Sequence, residues 1–216
     1  ADWNQPDSLQ LQLDIDSLRS SMAALDSLLV APLPPEALAL EAVTALARYE
    51  GGLQGGDFTG RWRTRPGQLT HQFTAEFTPD YQDATYSGQL AMDRFNLGTL
   101  LGNDSLGRFT FEARLGGQGL SLETLDTRLD AVVSEAEFNG YAYQDLELHG
   151  RFESQRFLGE IDLRDPHLKL DFDGEVNLND SLPDMRFVAR LDTLDLQALR
   201  FSETPLAFSA VLLADL

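Results

Sequence analysis

Alternation with a period of two runs through most of this chain. From Gln68 to Leu216, apolar residues take every second position of one extended segment after another, with Asp, Glu, Arg, Thr, Asn and Gln between them. In one such stretch Leu168, Leu170 and Phe172 alternate with Lys169, Asp171 and Asp173. Side chains two residues apart point to the same face of a strand, so the first three share one face and the last three the other. Repeated over about ten strands, the pattern predicts a wide sheet with an apolar face and an acidic one. An apolar face of that extent is either covered or made to touch something apolar.

The strands and turns follow from the same pattern. Leu9 to Asp16 alternates cleanly, and residues 17–33 are ambiguous between helix and strand. Pro34, Pro35 and Glu36 have the chemistry of a helix start, with Pro in the first turn and an acid near the positive end of the dipole. Ala37 to Tyr49 is rich in Ala and Leu, Leu38, Leu40, Val43, Leu46 and Ala47 can share a stripe, and Gly51-Gly52 follows. A short helix over 36–49 is the expectation. Further strands are expected over 57–63, 68–77, 85–93, 107–115, 125–133, 141–152, 157–163, 167–178, 185–191 and 206–212. Turn signals separate them at Arg65-Pro66-Gly67, Gly116-Gly117, Asn139-Gly140, Arg164-Asp165-Pro166 and Asn179-Asp180. Connections this short make neighbouring strands antiparallel.

An internal repeat is present. Asp93-Arg94-Phe95-Asn96-Leu97-Gly98-Thr99-Leu100 matches Asp192-Thr193-Leu194-Asp195-Leu196-Gln197-Ala198-Leu199, an offset of 99 residues. Each copy predicts a strand, a helical turn with Leu at i and i+3, and a second strand. Repetition of this kind suggests an elongated array of sheet modules.

The charge balance of 16 Lys and Arg against 35 Asp and Glu gives −19, which repels nucleic acid and disfavours an anionic bilayer surface. There is no Cys, so disulfides and thiolate metal sites are excluded. No signal peptide is visible, and no stretch approaches the roughly 18 consecutive apolar residues of a membrane span. The pattern is still running at Ala207 to Leu216, as expected for a piece of a longer protein.

Catalytic motifs are missing. His71, His149 and His167 are the only histidines, none with metal-pair spacing, and each is read as a surface or edge side chain. No nucleophile elbow, phosphate loop or dinucleotide fingerprint occurs. Asp171-Phe172-Asp173-Gly174 and Asp162 to Asp165 have a faint likeness to a calcium loop. Val176 and Leu178 continue the alternation where such a loop needs oxygen ligands, so exposed strand carboxylates are the reading. Carboxylates abound, but nothing marks a buried pair for glycoside cleavage, and Trp3 and Trp62 are too few for a sugar cleft. No enzyme activity, metal or cofactor is expected.

The segment Asn139-Gly140-Tyr141-Ala142-Tyr143-Gln144-Asp145-Leu146-Glu147-Leu148-His149-Gly150 resembles one found in the TamB/AsmA-like translocation and assembly module family, in its Bacteroidetes-type versions. Gly159 to Gly174, with Asp165-Pro166 inside it, and Pro183 to Leu199 are similar to the same family. The resemblance covers residues 80–216 and is weaker over 1–79. It implies a single segment, 1–216, of an elongated curled sheet forming a U-shaped groove, cut from an internal or C-proximal part of an envelope protein. It also implies anchorage in the inner membrane of a Gram-negative bacterium, passage through the periplasm, phospholipid transport supporting the outer membrane, and an outer-membrane TamA-like barrel as partner through regions outside this segment.

The fold class expected is thus all-β, with one or two short helices. The apolar face is expected to line a channel for phospholipid acyl chains. Its lining is Phe73, Phe77, Leu90, Phe109, Phe111, Leu115, Leu129, Val133, Leu146, Leu148, Phe152, Ile161, Leu163, Leu168, Leu170, Phe172, Val176, Phe187, Leu191, Phe208 and Leu212. Two other readings stand beside it. The face is the core of a closed sandwich or adhesive module, or the sheet receives β-strands of a client protein by edge pairing.

Overall fold

The structure, a computed structural model, describes residues 9–27, 38–79, 83–120, 124–177 and 185–215. The described strands are β1 (Leu11–Ser21), β2 (Ala42–Gly51), β3 (Gly55–Thr64), β4 (Gln68–Phe77), β5 (Ala84–Asn96), β6 (Leu106–Gln118), β7 (Asp126–Phe138), β8 (Tyr141–Glu153), β9 (Arg156–Arg164), β10 (Leu168–Asn177), β11 (Met185–Asp195) and β12 (Ala207–Asp215). Among the described residues two short helices have bounds on both sides: α1 (Met22–Asp26) after β1, and α2 (Leu97–Leu101) after β5. All twelve strands form one sheet in sequence order, each antiparallel to the next. β1 and β12 are its two edges, so the sheet is open. The fold is all-β, as the alternation requires, with twelve described strands where about ten were expected.

The expected helix over 36–49 is corrected. Its proposed start at Pro34-Pro35-Glu36 lies outside the described residues, and from Ala42 the chain is the strand β2. Val43, Ala45, Ala47 and Tyr49 alternate with Thr44, Leu46, Arg48 and Glu50, which is strand periodicity under a helix-like composition. Val43 is 3% exposed and Ala45 1%, whereas Leu46 is 47% exposed. A helical stripe would have buried Leu46. Pairing with β1 and β3 along the full length of β2 overrides the helix preference of Ala. The ambiguous region divides: Ser17 to Ser21 completes β1, α1 follows, and 28–33 lie outside the described residues. The Asn179-Asp180 turn and Leu178 also lie outside them.

The internal repeat is visible in three dimensions. Between β5 and β6 the register slips by one residue between the pairs Met92↔Phe111 and Phe95↔Phe109. Between β11 and β12 the same slip falls between Leu191↔Ala210 and Leu194↔Phe208, each position 99 residues further on. The Asn96 carboxamide accepts from Thr99 N at 2.9 Å, and the Asp195 carboxylate accepts from Ala198 N at 3.0 Å. These are N-caps at matching positions, of α2 in one copy and of the turn over 196–200 in the other.

The best-buried side chains, Phe95, Leu199 and Asp165, all lie where odd-numbered strands end. At that end backbone hydrogen bonds tie the strand ends to the turn before the neighbouring strand. Asn96 N donates to Pro66 O and Asp195 N to His167 O, both at 2.9 Å. Asp165 is 0% exposed. It accepts from the Tyr141 hydroxyl at 2.6 Å, Gln144 N at 3.1 Å and His167 N at 2.8 Å, so its buried oxygens are satisfied as acceptors. Burial, and then the Asp165 carboxylate beside it, hold the Tyr141 phenol far above its ordinary range. At the neighbouring hairpin Asn139 and Gly140 have φ of 50° and 74°, the left-handed pair of a tight two-residue turn.

Candidate functional site

Antiparallel partners lie on the same face, so the register assigns every side chain. One row runs through all twelve strands: Ile15, Ala47, Gly60, His71, Leu90, Ala113, Ala131, Leu148, Ile161, Phe172, Ala189 and Leu212. A parallel row joins Leu18, Ala45, Trp62, Leu69, Met92, Phe111, Val133, Leu146, Leu163, Leu170, Leu191 and Ala210. Phe73, Leu115, Leu129 and Phe187 belong to a third row, and Phe152 and Val176 to a fourth. Phe77 lies further along β4, beyond Phe73 and Ala75. Near the other end Phe109 pairs with Phe95 and Ala136, and Leu168 and Phe208 flank Leu194. The ladder thus brings all the side chains expected to line a channel onto one face.

Their exposure is graded. Val133 and Leu163 are buried, Phe208 and Leu212 are exposed, and the remaining expected lining residues are partly exposed. Small residues sit beneath large ones. Gly150, Gly159 and Gly174 are consecutive partners across β8, β9 and β10. A Cβ on Gly150 would stand 2.7 Å from the Phe157 ring, which therefore lies over the glycine. Aromatic contacts join neighbouring strands: Tyr49 with Phe58 at 4.8 Å, and Phe172 with Phe187 at 5.2 Å between ring centroids. The Tyr86 hydroxyl is hydrogen-bonded to Thr127 Oγ1 across the intervening β6.

His71 departs from expectation. It lies on the apolar face, stacked between Trp62 and Phe73 at centroid distances of 6.2 and 6.1 Å. Burial lowers its pKa, partly opposed by a hydrogen bond to the Phe58 backbone. Its position between Leu69 and Phe73, in phase with the apolar side of the alternation, is the sequence signal for this placement. His149 is on the polar face, 3.0 Å from Asp130, which raises its pKa. His167 follows the Asp165-Pro166 turn.

The opposite face is polar and striped with ion pairs. Arg151 grips Asp126 through two bonds of 2.6 and 2.7 Å, Arg164 bridges Asp162 and Asp171, and Arg156 meets Glu175 at 2.9 Å. These pairs are open to solvent, so each contributes little to stability. An open furrow of about 850 Å³ crosses this face from β1 to β8. Its floor is the backbone of the row from Ile15 to Ala131, and its walls include Asp14, Arg48, Arg61, Gln72, Arg114 and Asp130. Acidic and basic side chains are mixed along these walls, and Asp14 and Arg48 pair with each other at 3.4 Å. The furrow therefore offers no field of one sign to a charged ligand. Sequence reasoning missed it because it arises between rows of side chains, not from any motif.

Among the described residues no group of three or more His, Asp or Glu side chains is placed to hold a metal ion, and no helix is long and apolar enough to cross a membrane. Comparison with known proteins finds no family model, no curated protein and no solved structure that matches this chain.

Proposed function

We propose that this chain is a segment of a bridge-like lipid carrier, whose apolar face holds phospholipid acyl chains while headgroups stay in water. The observation that carries the reading is the rows of apolar side chains spanning twelve strands, most of them still partly exposed. A sealed sandwich core would bury such residues almost completely. Each CH₂ moved from water onto an apolar lining gains about 0.8 kcal/mol, so a continuous lining lowers the barrier for a two-tailed lipid crossing an aqueous gap. No reacting group is needed for this. The matching compartment is the periplasm of a Gram-negative envelope, with the full protein anchored in the inner membrane and meeting a TamA-like barrel, in the manner of the TamB/AsmA-like proteins the sequence resembles.

The test is lipid extraction and mass spectrometry on the purified chain, followed by reloading of delipidated protein with phospholipid vesicles. Phe111→Asp, Phe172→Asp and Leu191→Asp combined place three carboxylates on the apolar face. Loss of bound phospholipid with retained β-sheet circular dichroism is expected. The control Gln72→Asp with Gln89→Asp, on the polar face, should carry lipid normally. Unchanged carriage by a folded triple variant refutes the reading.

A further inference from the structure

The apolar face carries a polar notch. Trp62 on β3 and His71 on β4 are diagonal neighbours. They are the only side chains with a nitrogen or oxygen in the two rows that cross all twelve strands, from Ile15 to Leu212 and from Leu18 to Ala210. Both rings lean over Gly60. A Cβ at that position would stand 2.5 Å from His71 Nε2 and 2.6 Å from Trp62 Nε1, so the missing side chain is what lets the two nitrogens come together. Stacking of the rings, with 19° between their planes, holds the pair side by side.

The two rings offer different chemistry. An indole N–H can only donate. That of Trp62 has no hydrogen-bond partner among the described residues, and it is not sealed from solvent. His71 is kept neutral by burial and donates through one ring nitrogen to the Phe58 backbone. A neutral imidazole bonded in this way keeps its other nitrogen as an acceptor. The notch thus sets one donor and one acceptor within the apolar lining. Three tyrosines of the same face are, in contrast, bonded within the chain: Tyr49 donates to Gly55 O at 3.0 Å, Tyr86 is bonded to Thr127, and Tyr141 donates to Asp165.

Whatever covers the notch decides whether its donor and acceptor are paired. Plain hydrocarbon laid over them displaces water and leaves both unmet, which is costly. An ester carbonyl accepts from Trp62 and leaves His71 unmet. A hydroxyl satisfies both, accepting from Trp62 and donating to His71. The apolar row continues on either side, through Ala47 and Ile15 and through Leu90 and Ala113. The matching hydroxyl therefore has hydrocarbon before and after it. We propose that Trp62, His71 and Gly60 form a subsite for a hydroxyl group within an acyl chain, so that this carrier selects lipids with hydroxylated chains. The inference rests on the carrier reading above and adds a preference to it.

The experiment offers the delipidated 216-residue chain vesicles of equal parts dioleoyl and bis(12-hydroxyoleoyl) phosphatidylcholine. The two lipids share headgroup, chain length and double bond, and differ by one hydroxyl per chain. Bound lipid is read by mass spectrometry. The parent chain should take up the hydroxylated lipid about tenfold over the plain one, as two added hydrogen bonds imply. Trp62→Phe and His71→Phe keep a ring at each site, and each should lower that ratio about threefold. Together they should bring it to parity or below, with dioleoyl lipid still carried. Gly60→Ala drives the nitrogens apart and should abolish the preference with both of them present. A merely structural defect lowers uptake of both lipids alike and leaves their ratio unmoved. Equal uptake by the parent overturns the proposal and leaves the carrier reading intact. So does a preference that survives in the double variant, which places the hydroxyl elsewhere. If neither lipid is taken up, the carrier reading fails and the subsite fails with it.

Discussion

The two strand histidines make opposite demands on pH because the sheet puts them on opposite faces. His149 gains a carboxylate partner in Asp130, so its folded pKa lies above the ordinary 6.5. Its contribution is present below the unfolded value and is lost as pH rises through the raised one. The pair is half exposed, so the effect is small. Burial keeps His71 neutral, so its folded pKa lies below 6.5. Its contribution is present above the unfolded value and is lost as pH falls towards the lowered one. His71→Phe keeps an aromatic ring between Trp62 and Phe73 and cannot be protonated. Urea midpoints measured from about pH 5 to about pH 8 should fall more steeply on the acid side for the parent chain than for this variant. Parallel profiles would mean that His71 is solvated when folded.

At the scale of elements, the strands were legible because one rule, period two, governs nearly all of them. The segments 68–77 and 141–152 match β4 and β8 closely, since their polar positions hold Thr, Gln, Glu and Arg and their apolar ones large side chains. β2 was illegible for a physical reason. Ala45 and Ala47 are small because the face is crowded there, and small residues in a row look like helix formers. Asp165 escaped notice as well, because an Asp before Pro reads as a turn, and nothing local announces that Tyr141 reaches back to it. The lining could be assigned to one face from parity alone. The edges could not, because which strands end the sheet is a property of the whole ladder. The β2 assignment makes a sharp prediction. Ala45→Leu overfills a site 1% exposed and should cost about 1–3 kcal/mol in urea unfolding. Leu46→Thr, at a site 47% exposed, should stay within about 0.5 kcal/mol of the parent. Were Leu46 on a buried helical stripe, the order would be reversed.

For the molecule as a whole, a sheet in which each strand pairs only with its sequence neighbours is nearly one-dimensional. Stability then spreads strand by strand, as in repeat proteins, and an edge strand has one neighbour where an inner strand has two. Amide hydrogen exchange should therefore show protection greatest in β6 and β7 and declining outward to β1 and β12. The hydrogen bond that skips a strand, from Tyr86 on β5 to Thr127 on β7, should reinforce this maximum around β6. On the proposed function, an acyl chain lying along a row would touch several strands at once and couple strands the backbone leaves independent. Loading with phospholipid should raise protection most where it is lowest, flattening the gradient as expected for a ligand that binds only the folded sheet. A lipid-loaded chain with an unchanged gradient would mean that its acyl chains run along single strands and not across them.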